Sequence, residues 1–445
     1  NYNCWRRVVD LIRSQIILIQ KVKSFIKKSE AQKLSVFKLG RYYFAPFGKS
    51  KGFAKIISEQ NKLKGIILNL EILLKDIYRI LFLGKFKIIQ NSNKKNYKNI
   101  IVNWASSKDF DKNGNFKDKH FYTTSKNNSD IFWVLILIGD DIPNKISDNI
   151  ALILNEKKNF NLKFLWDATK KSLKSNNGSS FFDQISYFTI LANFFYENID
   201  QFIFKNTQKI LMPYEGQPFQ NAIFKKINKI NKKIKTIGFL HSFPIGLPLN
   251  LIKRDGAPKK IIVSSDSQFY CLKKFLGWKS NEIKILPSTR LRISKKIDMK
   301  NKVFLPIKFE SSEKIIHNLN ILSDKLDINL SNLQIKNHPS CTKSKKHIKL
   351  IKKIKYALAL HKKKKIIKNL SIFIGATGSV VEALERNVYT IHICENPSLE
   401  LYSKKLWKFI QVQRINNYIY RYGSIGRNRL IKFGKNVNLY KKYLH

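Results

Sequence analysis

From Tyr97 onward, short apolar runs alternate with stretches of helical period, and this alternation limits what the chain can fold into more than any other feature. Strand-like runs fall at Asn99–Trp104, Ile131–Ile138, Lys209–Tyr214, Thr236–Leu240, Lys260–Val263, Lys302–Ile307, Leu333–Lys336, Ser371–Ile374 and Val388–Ile393. Helical patterns lie among them at Tyr187–Phe204, Phe219–Lys233, Ser267–Leu276, Ser311–Leu326, Ser344–Leu360 and Ser379–Arg386. Parallel strands need crossover connections and helices supply them, so the expected class is α/β, built of βα units. No repeat of solenoid length is present.

Two junctions stand out within that alternation. Leu333–Ser340 (LQIKNHPS) and Ser371–Glu385 (SIFIGATGSVVEALE) each end an apolar run at small or polar residues, where an open parallel sheet places its ligand crevice. Gly375, Ala376, Thr377, Gly378 and Ser379 let the backbone approach a ligand and lead into a helix, a combination suited to phosphate. Lys336 and His338 can add side-chain donors to the same anion, the imidazole being held by the stiff Pro339. Glu382, in the helix that follows, is placed either to reach a ribose hydroxyl or simply to face solvent.

Earlier strands end in further candidates. The run Leu211–Ala222 (LMPYEGQPFQNA) carries Glu215 beside a glycine and just before a proline at a helix start, with Gln217 as a further contact. Glu215 can serve as a general base toward an acceptor hydroxyl, or it can only cap the helix. His241 and Ser242 would emerge on the same rim one βα unit later, as ligand contacts or as structural hydrogen-bond partners. Ser264 and Ser265 are either ligand contacts or N-cap residues.

The net charge of +54 comes almost entirely from lysine in a chain also crowded with isoleucine and asparagine, which is the signature of an AT-rich coding sequence. Most lysines, such as Lys362–Lys365, are therefore expected to be solvated. A basic surface still favours polyanions or an anionic membrane face. At 43% hydrophobic content the chain can fill two or three cores. Four scattered cysteines and eight histidines form no metal or redox spacing, so a reducing compartment and no structural metal are expected. Trp5–Lys28 is too interrupted by charge to span a bilayer, and Lys62–Lys87 reads as an amphipathic helix for domain packing or for a membrane surface.

The His-Pro element followed by the small-residue loop and Val381–Ile391 resembles the donor domain of GT-B glycosyltransferases. Ile100–Phe110, Tyr214–Phe219 and Gly238–Ser242 resemble bacterial surface-carbohydrate biosynthesis proteins of O-antigen and related polysaccharide clusters. That resemblance implies two facing Rossmann-like domains with an extra helical N-terminal segment. The corresponding division is 1–96 helical and basic, 97–233 acceptor domain, 234–396 nucleotide-sugar donor domain, and 397–445 a helical tail packing back on the first domain. It implies a glycosyltransferase using a nucleotide-sugar, possibly CMP-linked as in sialyltransferases, with His338 and Ser379 on the donor phosphate and Glu215 as base. Tyr214 stands where sialyltransferases carry the first of two acids. No cofactor or metal is implied. The partners would be a lipid-linked or nascent glycan acceptor and, peripherally, the inner face of the cytoplasmic membrane.

Three other readings compete. A CDP-glycerol or ribitol phosphotransferase would use His241 as base. A polyanion-binding protein would show basic residues interleaved with stacking aromatics or a known module, and neither is present, so nucleic acid is not expected. A degenerate transferase fold acting only as a scaffold is compatible with the same residues.

Overall fold

The computed structural model describes residues 86–434, except for 92–95, 122, 128–129, 140, 156–186, 242, 244–248, 293–297, 308, 310, 343, 361–363, 376, 396–399, 403 and 405. The expectations for Trp5–Lys28, for Lys62 to residue 85, and for Ser242 therefore lie outside the described residues.

The protein is a mixed α/β structure with two large, mainly parallel sheets. The first holds β1 (Phe86–Gln90), β2 (Asn99–Ala105), β3 (Ile131–Leu137), β4 (Ile150–Asn155), β5 (Lys209–Pro213), β6 (Lys235–Phe239), β7 (Lys260–Val263) and β8 (Ile283–Ile285), in the order β1-β4-β3-β2-β5-β6-β7-β8. Only β1 runs antiparallel, against β4. The second sheet holds β10 (Lys302–Phe304), β11 (Gln334–Lys336), β12 (Leu370–Ile374), β13 (Tyr389–Ile393), β14 (Ile410–Arg414) and β15 (Ile419–Ser424), in the order β11-β10-β12-β13-β15-β14. β9 (Ser288–Arg292) pairs with β16 (Phe433–Gly434).

Strands such as β3 (IFWVLIL) are buried almost throughout because both faces of the sheet are covered. One face packs α1 (Tyr187–Asn198) and α2 (Pro218–Ile230) through Phe195, Phe219, Ile223 and Phe224. The other face is closed by Phe116 and Phe121 against Trp133 and Phe239. In the second sheet, Val303, Ile372 and Ile391 form a core with α4 (Ser312–Leu326) and α5 (Lys345–Ala359) through Leu319, Leu322, Leu350 and Ile354. α3 (Asp266–Phe275) follows β7, and α6 (Ser379–Glu385) follows β12.

Three expectations are corrected here. The boundary expected at 233/234 runs between β5 and β6, which are paired neighbours, so residues 235–285 extend the first sheet and the second begins at Lys302. Extended apolar runs do not show which sheet they join, because that depends on pairing partners far away in sequence. Helix does not fill 1–96, since Phe86 and Lys87 already lie in β1. Nor is 397–445 mainly helical: β14 and β15 form a hairpin that continues the second sheet through β13. The polar residues of that hairpin (IQVQR and IYRYGS) alternate with apolar ones at the period of a strand. The segment after it returns to the first sheet, where Lys432 N donates to Ser264 O and Arg429 pairs with Asp266.

One packing constraint is visible in sequence as Gly238. Any Cβ there would lie 2.8 Å from the Tyr214 ring and 2.9 Å from Pro258. Tyr214 is wholly buried and donates to Asn221 Oδ1; it belongs to the core and does not stand in for a catalytic acid. Gly238→Ala is expected to lower stability by about 1–3 kcal/mol through overpacking, read as a depressed denaturation midpoint.

Candidate functional site

In the first sheet the strand order reverses between β2 and β5, and loops on either side of such a switch diverge to leave a crevice at the carboxyl ends. Glu215 follows β5, His241 follows β6, and His120 lies in the long connection after β2. His241 Nε2 lies 3.3 Å from Glu215 Oε1, an ion pair whenever the imidazole is protonated. The His120 ring stands edge-on to the His241 ring, with centroids 4.7 Å apart.

The local sequence builds this arrangement. Gly216 has φ +68°, and a Cβ there would fall 2.0 Å from Asn250 O, so no other residue fits behind Glu215. Pro218 opens α2, and Gln220 in its first turn reaches back. Its Oε1 accepts from Glu215 N and Gln217 N, and its Nε2 donates to Pro213 O. Asn221 Nδ2 donates to Gly216 O and Gln217 O, and Asn250 Nδ2 donates to Glu215 O. The carboxylate also accepts from Gln217 Nε2 at 3.2 Å, so Gln217 sits against Glu215 as well as at the helix start.

His120 is fixed through Asp118, which is 2% exposed. The Asp118 carboxylate accepts from His120 N, Phe121 N and Asn103 Nδ2, the last from within β2. The connection around Asp118 and His120 is thus an ordered part of the rim. His120, Asp118, Asn103, Gln220, Asn221 and Asn250 were not singled out from sequence. Only Gln220 carries a local signal, three residues after Gln217 with proline between; the others come together through long-range contact.

The second sheet reverses its order between β10 and β12. Gly375, at the end of β12, has φ +63°, and a Cβ there would meet the Pro306 ring at 3.2 Å. His338 follows β11, which pairs with β10 and not with β12. The two junctions expected to serve one anion are therefore not on neighbouring strands: β10 stands between them and separates the strands by about 10 Å. Asn337 shapes the turn at His338: its Oδ1 accepts from His338 N, and its Nδ2 donates to Cys341 O. Lys336 is exposed on the edge strand.

The glycine loop is tied from behind. His392 Nε2 donates to Gly375 O at 2.7 Å, and Tyr402 Oη donates to Thr377 O at 3.2 Å. Ser379 N donates to Thr377 Oγ1, and Gly378 is exposed. His392 is fully buried, and desolvation pushes its pKa down to about 4, outweighing the hydrogen bond to Gly375 O.

Three candidates take on structural work. Ser265 Oγ accepts from Gln268 N as the N-cap of α3 and is wholly buried, as is nearly all of Ser264, whose N–H donates to Gln268 Oε1. Both sit inside the joint with the tail and not on the rim. Glu382 is 8% exposed and pairs with Arg386 at 3.0 Å, so it is turned away from solvent and held by its own helix. Periodicity marks such positions as helical without showing which neighbour covers them.

The two rims meet at one described place. The loop from His241 runs to Phe243, and a Cβ at Gly378 would lie 3.3 Å from Phe243 O. The Phe243 ring packs on Trp407 and Tyr402, with centroids 4.6 and 6.0 Å away. Elsewhere, the buried His392, Cys394 and Glu400 offer side-chain atoms within 4.8 Å of one another, but Cys394 Sγ lies 3.4 Å from Nδ1 and 3.8 Å from Nε2, over the imidazole and off its lone pair.

No family model matches the chain, and no curated protein matches it. Among solved structures, the N-terminal domain of trehalose-6-phosphate phosphatase from Candida albicans matches at 13% identity, TM-score 0.34, covering 72% of this chain and 90% of that one. An α,α-trehalose 6-phosphate synthase from Burkholderia multivorans matches at 7% identity, TM-score 0.36, covering 68% and 84%. Likeness of that order carries no functional weight.

Two outcomes are expected at this site. Gly375→Ala should lower stability by about 1–2 kcal/mol, because φ is positive and Pro306 blocks relaxation; an unchanged melting midpoint would refute the tight junction. The neutral imidazole of His392 favours the folded state above the unfolded pKa of 6.5, and that contribution is lost as pH falls toward about 4. On the order of 3 kcal/mol should disappear over this window, and His392→Gln should flatten that limb in melts taken across it.

Proposed function

We propose that the chain is a GT-B-type glycosyltransferase that moves a sugar from a nucleotide-activated donor to a hydroxyl of a glycan acceptor, with the rims of its two sheets turned toward one cleft. The observation that carries this reading is the Glu215–His241 pair beside the switch point of the first sheet, with Phe243, two residues after His241, close to Gly378 of the glycine loop. A proton acceptor and a close-approach backbone loop on facing rims suit transfer between a hydroxyl and a phosphate ester.

In this reading the acceptor hydroxyl gives its proton to Glu215 as its oxygen attacks the anomeric carbon. The bond from that carbon to the phosphate oxygen breaks, and the nucleotide leaves with the electron pair. Thr377, Ser379 and the N–H groups of the glycine loop hold the departing phosphate, His338 reaches the same nucleotide from across β10, and donors set in place before reaction stabilise the charge as it develops. His241 holds the carboxylate in position, so Glu215 and His241 act as a unit.

A second reading is favoured by His120 beside His241. Two imidazoles suit transfer of a polyol phosphate from a CDP-linked donor, one taking the hydroxyl proton and the other bonding the phosphoryl oxygen.

A thermal-shift titration with CMP, CDP, UDP, GDP and ATP, on the intact protein and on His338→Ala and Ser379→Ala, tests the donor pocket. One nucleotide at a hundredfold its Kd should add about 2.7 kcal/mol of stability, and both substitutions should remove the response. No response to any nucleotide would overturn both readings. With the nucleotide known, Glu215→Gln should abolish glycosyl transfer while sparing nucleotide binding. His120→Asn should abolish turnover only if polyol phosphate is the group moved.

A further inference from the structure

The outer face of α5 is unlike the rest of the surface. Of the large apolar side chains that stand exposed among the described residues, four, Ile348, Tyr356, Leu360 and Ile366, fall between residues 348 and 366. Tyr356 is 73% exposed, Leu360 63% and Ile366 59%. Positions 348, 352, 356 and 360 are spaced by four, so Ile348, Lys352, Tyr356 and Leu360 make one outward row, while Leu350, Ile354 and Leu358 fill the core beneath.

The charge on this helix also exceeds the bias of the chain. α5 (KKHIKLIKKIKYALA) has six lysines in fifteen residues and no acid, against 84 lysines and arginines in 445 residues overall. Two of the six are used internally: Lys353 pairs with Glu313, and Lys346 donates to Phe309 O. Lys349, Lys352 and Lys355 stand exposed, and none has a carboxylate partner among the described residues.

We infer that this face of α5 docks on an anionic lipid bilayer, lying flat in the interface. Lysine ammonium groups meet the anionic headgroups, their stems lie along the apolar row, and Ile348, Tyr356 and Leu360 enter the acyl boundary. A nucleic acid would satisfy the lysines but leave the apolar row in water. A bilayer satisfies both, and so the observations favour it. The helix begins seven residues after His338, which holds that end of the second sheet close to the surface. Among the described residues no helix is long and apolar enough to cross a membrane.

The test is co-sedimentation of the full chain with phosphatidylcholine vesicles and with mixed phosphatidylcholine–phosphatidylglycerol vesicles. The intact protein is compared with Tyr356→Ser/Leu360→Ser and with Lys349→Glu/Lys352→Glu/Lys355→Glu. All five side chains are exposed, so melting midpoints should stay within a degree or two of the parent, which separates loss of docking from loss of fold. Binding to the anionic vesicles alone, weakened about tenfold or more by each variant and by added salt, is the expected result. The proposal is overturned by an absence of binding, by equal binding to neutral vesicles, or by variants that bind as the parent does. It is equally overturned if charge reversal abolishes binding to duplex DNA or RNA while the apolar variant leaves vesicle binding unchanged, which would make the face a nucleic-acid surface.

Discussion

Phe243 joins what the two sheets would otherwise do separately. Its ring packs against Trp407 and Tyr402, which lie beyond β13, while its carbonyl lies where a Cβ on Gly378, beyond β12, would come within 3.3 Å of it. The same apolar cluster contains Val102 and Phe132 of the first sheet and Phe373 of the second. Aromatic packing of this kind buries a large area at defined geometry, so the loop carrying His241 is held against the loop carrying Gly378. Tyr402 serves both ends of this joint, packing on Phe243 and donating to Thr377 O.

The second organising constraint is the reversal of strand order. A doubly wound sheet has a place where neighbouring loops leave in opposite directions, and both sheets put small or ionisable residues there. In the first the residues are ionisable, Glu215 with His241 and His120 beside it. In the second they are compact, Gly375 against Pro306. Ionisable side chains and close backbone approach are thus divided between the sheets.

The candidate site is rigid because its supports are buried and hydrogen-bonded. Asp118 sets His120 through three donors, and Gln220 and Asn221 set the Glu215 turn from the first turn of α2. Buried polar groups of this kind are costly unless satisfied, and these satisfy one another. The pairing of Glu215 with His241 also means that the two residues are not independent, and substitutions at the two are not expected to add.

Local order was legible because hydrophobic period is a local property. β7 covers Lys260–Val263 and α4 ends at Leu326, as the pattern of apolar residues expects, and Glu215, His241, His338 and the glycine loop all fall at strand ends. What the sequence by itself determined was therefore the α/β class, most of the parallel strands and which residues stand at their carboxyl ends. The tertiary structure decided which strands are neighbours, and with that the seam, the wedge of β10 between His338 and Gly375, and the meeting of His120 with His241 across 121 residues of chain. The physical reason is that a strand's apolar faces fix only that it is buried. Its partners are chosen by backbone pairing and side-chain packing between segments far apart, which leave no periodic mark in either segment.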